Sequence, residues 1–231
     1  MDVKSLIWYF TNSLHDVDDK KYKDLKISRK VAILNRAIDL FFDKILTNRS
    51  KNPVFGEWLR PLEIDDYVLK FKRKTDKFYL YEYPERYGAA TSVYINAKKD
   101  NCSATFEANP LMDKSGPNAI KNPFWEPSFE FEQTFRTKNN EGIKIWRKYF
   151  DIEKAFISYI YRPPDIHAPS LNEKEGGKYL YHDNKIYTKD VDLMFGEGAE
   201  IPIVDIAVII ATDSGGDLNL QVNKILNIKQ I

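Results

Sequence analysis

Imidazole, thiol and carboxylate side chains are the groups through which this chain could bind a metal or catalyse a reaction. Its three histidines, His15, His167 and His182, lie in three separate segments, two of them predicted loops or turns. A nucleophilic site needs a nucleophile beside a base, and a metal site needs ligands at helical or turn spacing. The histidines meet neither requirement, so each is interpreted as a surface or turn residue.

The single cysteine and the clustered carboxylates also have simpler interpretations than catalysis. Cys102 stands between Asn101 and Ser103 without a family signature around it, which is typical of a small packed residue. Acid–base catalysis requires a pocket that separates the pKa values of two carboxyls. The acidic groups at 16–19 and 65–66 are therefore interpreted as solvated turns.

Two kinds of glycine-containing segment resemble binding loops only in part. The segment 213–217 lacks the alternating Asp or Asn ligands and the closing Glu of an EF-hand. The Gly176–Gly177 and Gly215–Gly216 pairs lack the rest of a phosphate-binding motif. The sequence therefore predicts no catalytic residue, no cofactor and no metal ligand, and it predicts that the protein is not an enzyme.

Composition limits the remaining classes. Of 231 residues, 43% are hydrophobic, and 14 Tyr, 14 Phe and 4 Trp supply apolar area for a sizeable core. A formal net charge of +1 provides no positive field for reading nucleic acid, and the basic residues of 70–77 are interpreted as the wet face of a sheet. The longest apolar stretch, 201–211, is shorter than the ~20 residues that span a bilayer. A lone cysteine fits a reducing cytoplasm.

Apolar residues recur at three- and four-residue steps near both ends of the sequence. The pattern predicts an amphipathic helix over 27–46 and a shorter helix over 3–14. Pro202 opens another predicted helix that continues to Ala211, and because this helix is apolar on almost every side we expect it to be buried. A last short helix is predicted over 218–226.

Between these helices the apolar period changes to two, which indicates strands. Such runs occur at 67–71, 78–81, 93–97, 129–135, 143–149 and 155–161. The last run is apolar on both faces, so we expect it to lie centrally in the sheet. Asn139–Gly142 predicts the turn of one hairpin, and Tyr179–Tyr187 reads as a second hairpin.

The order of helices, strands and helices predicts an α+β fold, with a helical bundle built from both chain ends and an antiparallel β sandwich or barrel domain. We expect residues 1–60 to form an N-terminal helical segment. Residues 61–190 are expected to form the antiparallel β domain with long loops, and residues 191–231 to supply C-terminal helices that pack on the N-terminal ones.

The distinctive feature of the chain is an ordered arrangement of segments. In order these are the helix around Asn35–Arg36–Ala37, then Leu59–Arg60–Pro61–Leu62, the aromatic stretch from Asn101–Cys102 to Phe135, the strand end Ser158–Tyr159–Ile160–Tyr161–Arg162–Pro163–Pro164–Asp165–Ile166, and Ile203–Val204–Asp205–Ile206–Ala207–Val208. This arrangement resembles the head-to-tail connector proteins of tailed bacteriophages, the ring, adaptor or tail-tubular gatekeeper-like proteins. It is most similar to those of crAss-like podoviruses. The resemblance covers most of the chain, with Tyr161 standing where the family often has a basic residue.

The resemblance implies a mechanical function in the virion. About a dozen copies would form a closed homo-oligomeric ring that lines the DNA passage and joins the portal to the tail. The implied partners are other copies of the chain, the portal protein and an adjacent ring or tail protein, with DNA passing unread during ejection. The implied location is the virion, assembled in the host cytoplasm, without a membrane.

Long loops rich in aromatic residues and proline are predicted to contact neighbouring subunits, because such loops are uncommon in a compact domain unless they serve an interface. The predicted loops are residues 109–127 and the Tyr179–Tyr187 hairpin. The predicted assembly-interface residues are Phe124, Trp125, Tyr161, Arg162, Tyr181 and Tyr187.

Two other functions stay open at this point. A β module of a virion or surface complex could bind a ligand or glycan through exposed Tyr and Trp residues, which predicts a monomer or small oligomer with ligand affinity. A hydrolase would require His and carboxylate residues that line a pocket of the folded protein.

Overall fold

The computed structural model describes residues 1–22, 25–111, 122, 126–171, 188–212 and 217–227. The chain forms two compact units. The helical unit comprises Met1–Leu62 and Pro163–Ile231, and the sheet unit comprises Glu63–Arg162. The helical unit is therefore built from two stretches of sequence that are separated by the whole of the sheet unit.

Five α-helices lie in the described part of the helical unit. They are α1 (Val3–Tyr22), α2 (Ile27–Asn48), α3 (Pro53–Leu59), α4 (Glu200–Thr212) and α5 (Leu218–Ile225), with 3₁₀ turns at Arg60–Leu62 and Pro169–Leu171. Asn52 begins α3 by accepting a hydrogen bond from the Val54 amide at 3.1 Å, and Pro53 occupies the first turn, where a missing amide costs nothing. The four helices predicted from periodicity are confirmed, although α1 continues to Tyr22.

Packing of α4 against both α1 and α2 forms the core of the helical unit. Phe41 of α2 is fully buried, and its ring centroid lies 5.4 Å from that of Trp58 and 5.2 Å from that of Phe195. Other fully buried large side chains are Leu6, Phe10, Leu14, Leu34, Phe42 and Ile45. Phe195 belongs to the second stretch of the unit, so its contact with Phe41 joins the two stretches. Burial of each such side chain stabilises the fold by roughly 1.5–3 kcal/mol.

The prediction of a helical bundle from both chain ends is wrong for most of this unit. α3 and α5 span only 7 and 8 residues, and irregular segments complete the core with buried Ile166, Ala168, Leu193 and Phe195. Asn35 of α2 accepts a hydrogen bond from the Ile166 amide at 2.8 Å and donates one to the Ile166 carbonyl at 3.2 Å. Periodicity detects regular helices, so it does not register the irregular segments that supply this packing.

Eight strands form one curled mixed sheet, a half-barrel, in the sheet unit. They are β1 (Glu63–Val68), β2 (Phe71–Lys74), β3 (Phe78–Tyr81), β4 (Tyr87–Lys99), β5 (Cys102–Pro110), β6 (Thr134–Asn139), β7 (Gly142–Trp146) and β8 (Asp151–Tyr161). The strand order is β1-β8-β4-β5-β6-β7-β3-β2. Because β8 lies between β1 and β4, residues 155–161 form an interior strand, as predicted, although this strand stands second in the strand order and not at its centre.

The prediction of an antiparallel sandwich or barrel is wrong. β5 and β6 pair in parallel, with Ala108 opposite Thr134, so the sheet is mixed and continuous. The alternation analysis missed β5 because its one large apolar side chain is Phe106, among small and polar residues. The predicted run at 129–135 is also wrong in part, since residues 129–132 form turns and β6 begins at Thr134.

One apolar cluster fills the sheet unit. Its buried members include Val93 and Ile95 of β4, Phe106 of β5 and Ile157 of β8. Val93 pairs with Ile157, and Ile95 pairs with Phe106, so these side chains share one face of the sheet. The curl of the sheet brings residues of other strands, such as Ile145 of β7, into the same cluster.

The hairpin between β6 and β7 confirms the predicted turn at Asn139–Gly142. Asn139 Oδ1 accepts hydrogen bonds from the amides of Glu141 and Gly142, both at 3.1 Å. Gly142 has a φ of 147°, and a Cβ atom there would clash with the Tyr81 carbonyl oxygen. Glycine is therefore required at this position.

β1 and β2 are neighbours in sequence but stand at opposite ends of the strand order. Only Leu69 and Lys70 connect them. The Leu69 amide continues the pairing with β8 by donating to the Ala155 carbonyl at 2.9 Å. The Lys70 carbonyl accepts a hydrogen bond from the Glu82 amide at 2.9 Å, next to β3. A single length of chain thus passes from one end of the sheet to the other.

Candidate interaction surface

Trp8, Tyr9 and Ile201 form an exposed apolar surface on the helical unit, named here the α1–α4 patch. Their exposed fractions are 60%, 52% and 65%. The rings of Trp8 and Tyr9 contact edge to face, with centroids 5.2 Å apart. Large apolar side chains that are exposed as a group, rather than singly, are typical of interaction sites.

The helix pattern explains why these side chains are exposed. α1 buries Leu6 and Phe10 on one face, and Trp8 and Tyr9 lie off that face. Ile201 lies in the first turn of α4, where the following Pro202 is buried while Ile201 is not. The patch is therefore the outer surface of two helices whose inner surfaces form the core.

A cavity of about 220 Å³ lies at the patch and is lined by residues of both helices. Its lining residues are Tyr9, Ser13, Glu200, Ile201, Val204 and Asp205. Asp205 is exposed over much of its surface, yet the apolar part of its surroundings removes enough water to raise the pKa of its carboxyl. The cavity thus offers an apolar wall with two acidic groups at its margin.

A wider groove of about 610 Å³ borders the patch on the side of α2, and Trp8 and Tyr9 line it together with Leu171. Lys30 lies in the groove with 7% of its surface exposed, and its ammonium donates a hydrogen bond to the Thr11 hydroxyl at 2.9 Å. Burial lowers the pKa of Lys30. The groove thus combines apolar lining residues with a buried ammonium that is already bound to Thr11.

The second half of α4 adds apolar surface. Pro202–Ala207 contains most of the buried residues of this helix, whereas residues 208–212 are half-buried. The prediction that the helix is buried is therefore correct for one face of its first half, whose other face exposes Ile201 and Asp205, and wrong for its second half. The half-buried residues are again apolar except for Thr212.

Two of the six predicted interface residues lie in the described part of the chain. Tyr161 is half-buried and packs against the apolar cluster of the sheet unit. Arg162 follows it, and its amide donates a hydrogen bond to the Arg86 carbonyl at 2.7 Å. The other four predicted interface residues, Phe124, Trp125, Tyr181 and Tyr187, lie outside the described residues, as does the Tyr179–Tyr187 hairpin.

Asp65 and Asp66 lie in β1, so the interpretation of 65–66 as a solvated turn is wrong. His167 is buried, and its backbone pairs with that of Val191, so the prediction of a surface position is wrong for this residue. His182 lies outside the described residues. Among the described residues, no three His, Cys, Asp or Glu side chains are grouped so that they could hold a metal ion.

Sequence reasoning missed the α1–α4 patch, although a signal was present. In the helix predicted over 3–14, the apolar residues Leu6, Ile7, Phe10 and Leu14 fall on one side, and Trp8 and Tyr9 lie off that side. An aromatic pair off the buried face of an amphipathic helix is the pattern that identifies such a surface.

No model of a known protein family matches this chain. A search of curated proteins likewise finds no match. Within the part of the chain that the structure covers, every helix is too short or too polar to cross a membrane.

Proposed function

We propose that this protein is a virion structural subunit that forms an oligomeric ring in the portal–tail connector of a tailed bacteriophage. In this function it lines the DNA passage and joins the portal to the tail. The observation that carries the proposal is the α1–α4 patch, because Trp8, Tyr9 and Ile201 expose apolar area that a partner surface would remove from water. The order of sequence segments, which resembles that of connector proteins, supports a ring over other assemblies.

The size of the patch suits a contact that is repeated around a ring. Burial of one large apolar side chain contributes roughly 1.5–3 kcal/mol, and these three residues are already partly covered, so one patch supplies a modest contact. In a closed ring every subunit has two neighbours, and removing one subunit breaks two contacts. Contacts of this kind can therefore keep a closed ring together, although one such contact is too weak to keep two isolated subunits together.

The charge of the chain is compatible with a passage for DNA. Its formal net charge is +1, with 35 Lys and Arg against 34 Asp and Glu. A strongly basic wall would retain phosphate groups, because each contact releases counterions and adds affinity. A nearly neutral subunit avoids that retention.

The test measures assembly by sedimentation velocity and negative-stain electron microscopy, with the chain alone and mixed with the portal protein of the same virus. We expect rings from the wild-type chain and loss of rings from the variant Trp8→Ala/Ile201→Ser. Circular dichroism checks that the variant is folded. The matched control is Val54→Ala, which truncates an apolar side chain that is 41% exposed on α3, outside the patch.

Two outcomes would contradict the proposal. One is a wild-type chain that stays monomeric both alone and with the portal protein. The other is ring formation that the patch variant retains at wild-type concentration dependence. A monomer that binds glycans would favour the ligand-binding alternative instead.

A further inference from the structure

At the two ends of the strand order, β1 and β2 leave backbone groups without a strand partner among the described residues. β1 pairs with β8 on one side, and β2 pairs with β3 on one side. An unpaired strand edge can bind another chain unless side chains prevent it. The charges along these two edges therefore decide which partner each edge accepts.

The two edges carry opposite charge. β1 contains Glu63, Asp65 and Asp66, all exposed, and no basic residue. β2 and the residue before it contain no acidic residue, and their basic side chains are all exposed. These are Lys70, Lys72, Arg73 and Lys74. Two β1 edges would repel each other, as would two β2 edges, whereas β1 of one copy attracts β2 of another.

Part of this charge has no ion-pair partner within the described part of the chain. Arg73 pairs with Glu141 at 2.7 Å and Lys74 pairs with Asp151 at 2.8 Å, both at the surface. Neither the acidic groups of β1 nor Lys70 forms an ion pair with another described residue. These unpaired charges are available to a neighbouring molecule.

We propose that the acidic β1 edge of one copy binds the basic β2 edge of the next copy. The inference rests on the proposed function, since it names the second contact through which subunits of the ring meet. A contact between two different surfaces of the same molecule is heterologous, and heterologous contacts generate closed rings when the rotation closes. The repulsion between like edges fixes the direction in which subunits follow one another.

Side-chain ion pairs, rather than a long backbone ladder, form this contact. The register of β1 shifts between Ile64 and Tyr67, and the register of β2 shifts between Phe71 and Arg73. Asp66 has a φ of 50° at the first shift. Bulges of this kind bend an edge and limit the number of backbone hydrogen bonds that it can offer. The contact is therefore expected to weaken as salt is added.

The experiment reverses the charge of each edge separately. Glu63→Lys/Asp65→Lys makes both edges basic. Lys70→Glu/Lys72→Glu makes acidic the part of the β2 charge that is not already used, because Arg73 and Lys74 are paired with Glu141 and Asp151. Association is measured by sedimentation velocity at low and high salt. We expect each variant alone to associate roughly tenfold or more weakly than the wild type. An equimolar mixture of the two variants is expected to recover association, because each edge then meets one of opposite charge.

Two controls separate edge chemistry from general charge effects. Lys51→Glu/Arg60→Glu changes the net charge as much as Lys70→Glu/Lys72→Glu, at exposed positions outside the sheet unit, and is expected to associate like the wild type. The combined variant with all four edge reversals keeps the edges complementary and is expected to associate like the wild type as well. Circular dichroism again checks folding.

The results distinguish failure of this inference from failure of the proposed function. A wild-type chain that never associates, alone or with the portal protein, overturns both. A wild-type chain that forms rings while both edge variants form them equally well overturns the edge contact alone. Recovery in the mixture, without recovery in either variant alone, supports a directional contact between unlike edges.

Discussion

The helical unit and the sheet unit expose different chemistry. The helical unit exposes Trp8, Tyr9 and Ile201 as an apolar patch, although its core is closed around Phe41. The sheet unit packs many of its aromatic side chains into its apolar cluster, although Phe71, Phe131 and Tyr149 are exposed. It places opposite charges on its two edge strands. Contacts through the first surface would persist in salt, whereas contacts through the second would weaken.

If both surfaces are contacts of the proposed ring, this difference predicts that salt separates the two contacts. A contact made by apolar burial is strengthened by salts that are excluded from protein surfaces. A contact made by exposed ion pairs is screened over about 10 Å at 0.1 M salt. The following changes test the comparison between the units, beginning with the largest expected effect.

Phe41→Ala tests whether the core of the helical unit is as closed as its structure indicates. Phe41 is fully buried between Trp58 and Phe195, so truncation leaves a cavity and is expected to cost about 3–5 kcal/mol of unfolding free energy. Urea denaturation measures the change. Val54→Ala, at an exposed position of α3, serves as the control and should change stability by less than about 0.5 kcal/mol. Equal effects of the two changes would mean that Phe41 is not in a closed core.

Gly142→Ala and Gly56→Ala compare a glycine of the sheet unit with one of the helical unit. A Cβ atom at Gly142 would meet the Tyr81 carbonyl oxygen, and the backbone there has a positive φ that alanine rarely adopts. We therefore expect Gly142→Ala to lower the free energy of unfolding by about 3 kcal/mol. A Cβ atom at Gly56, within α3, meets nothing within 4 Å. Because alanine favours helices, Gly56→Ala is expected to stabilise by about 0.5–1 kcal/mol. Thermal and urea unfolding measure both effects. A change in stability of the same sign for Gly142→Ala and Gly56→Ala would contradict this prediction.

Among the described residues, each unit buries one cation, and stability should depend on pH differently for the two. Burial lowers the pKa of Lys30 in the helical unit and of Arg136 in the sheet unit. Below its lowered pKa, folded Lys30 is charged and destabilising. As pH rises toward 10.5, the unfolded chain holds the extra proton, so the wild type gains stability relative to Lys30→Met. The gain is expected to be at most about 1 kcal/mol.

Arg136→Met provides the matched comparison for that pH profile. Arginine stays protonated throughout this pH range, so its replacement should shift stability by the same amount at every pH. Nε and Nη1 of Arg136 are buried without a hydrogen-bond partner, and removing them is expected to be neutral or stabilising. Urea denaturation between pH 7 and pH 10 measures both variants. If the stability of Lys30→Met changed with pH in parallel with that of the wild type, Lys30 would not titrate between pH 7 and pH 10.

The smallest effect on stability is expected at the ion pair between Lys74 and Asp151, one of several at the surface of the sheet unit. Lys74 donates a hydrogen bond to Asp151 at 2.8 Å, and this bond is the main reason that the pKa of Asp151 is lowered. Since both groups are exposed, Lys74→Ala should change stability near the limit of detection at neutral pH, and still less at high salt. Nuclear magnetic resonance titration should show the Asp151 pKa rising toward its ordinary value in the variant.

The sequence predicted regular elements with strong periodicity and missed those without it. α2 and the turn at Asn139–Gly142 were predicted because apolar spacing and turn residues agree locally. β5 was missed because small and polar residues conceal its alternation. The parallel pairing of β5 with β6 depends on contacts between distant segments, which local patterns do not encode.

The interaction surface was less predictable than the fold. The predicted interface residues belong to expected loops and to the strand end at Tyr161 and Arg162, whereas the exposed aromatic pair Trp8 and Tyr9 lies on a helix. Periodicity identifies which face of a helix is buried, but the exposure of the opposite face depends on what packs against it. The charge difference between β1 and β2 is visible in the sequence, yet only the strand order shows that both are edges.

The discontinuous helical unit has a consequence for synthesis of the protein. α1 and α2 leave the ribosome long before α4, which supplies buried Ile203, Ile206 and Ala207 to their common core. Until then, the nascent chain carries the uncovered apolar faces of both helices. Because chains with such exposed faces aggregate at cellular concentrations, a chaperone that shields the first 62 residues would raise the yield of native protein.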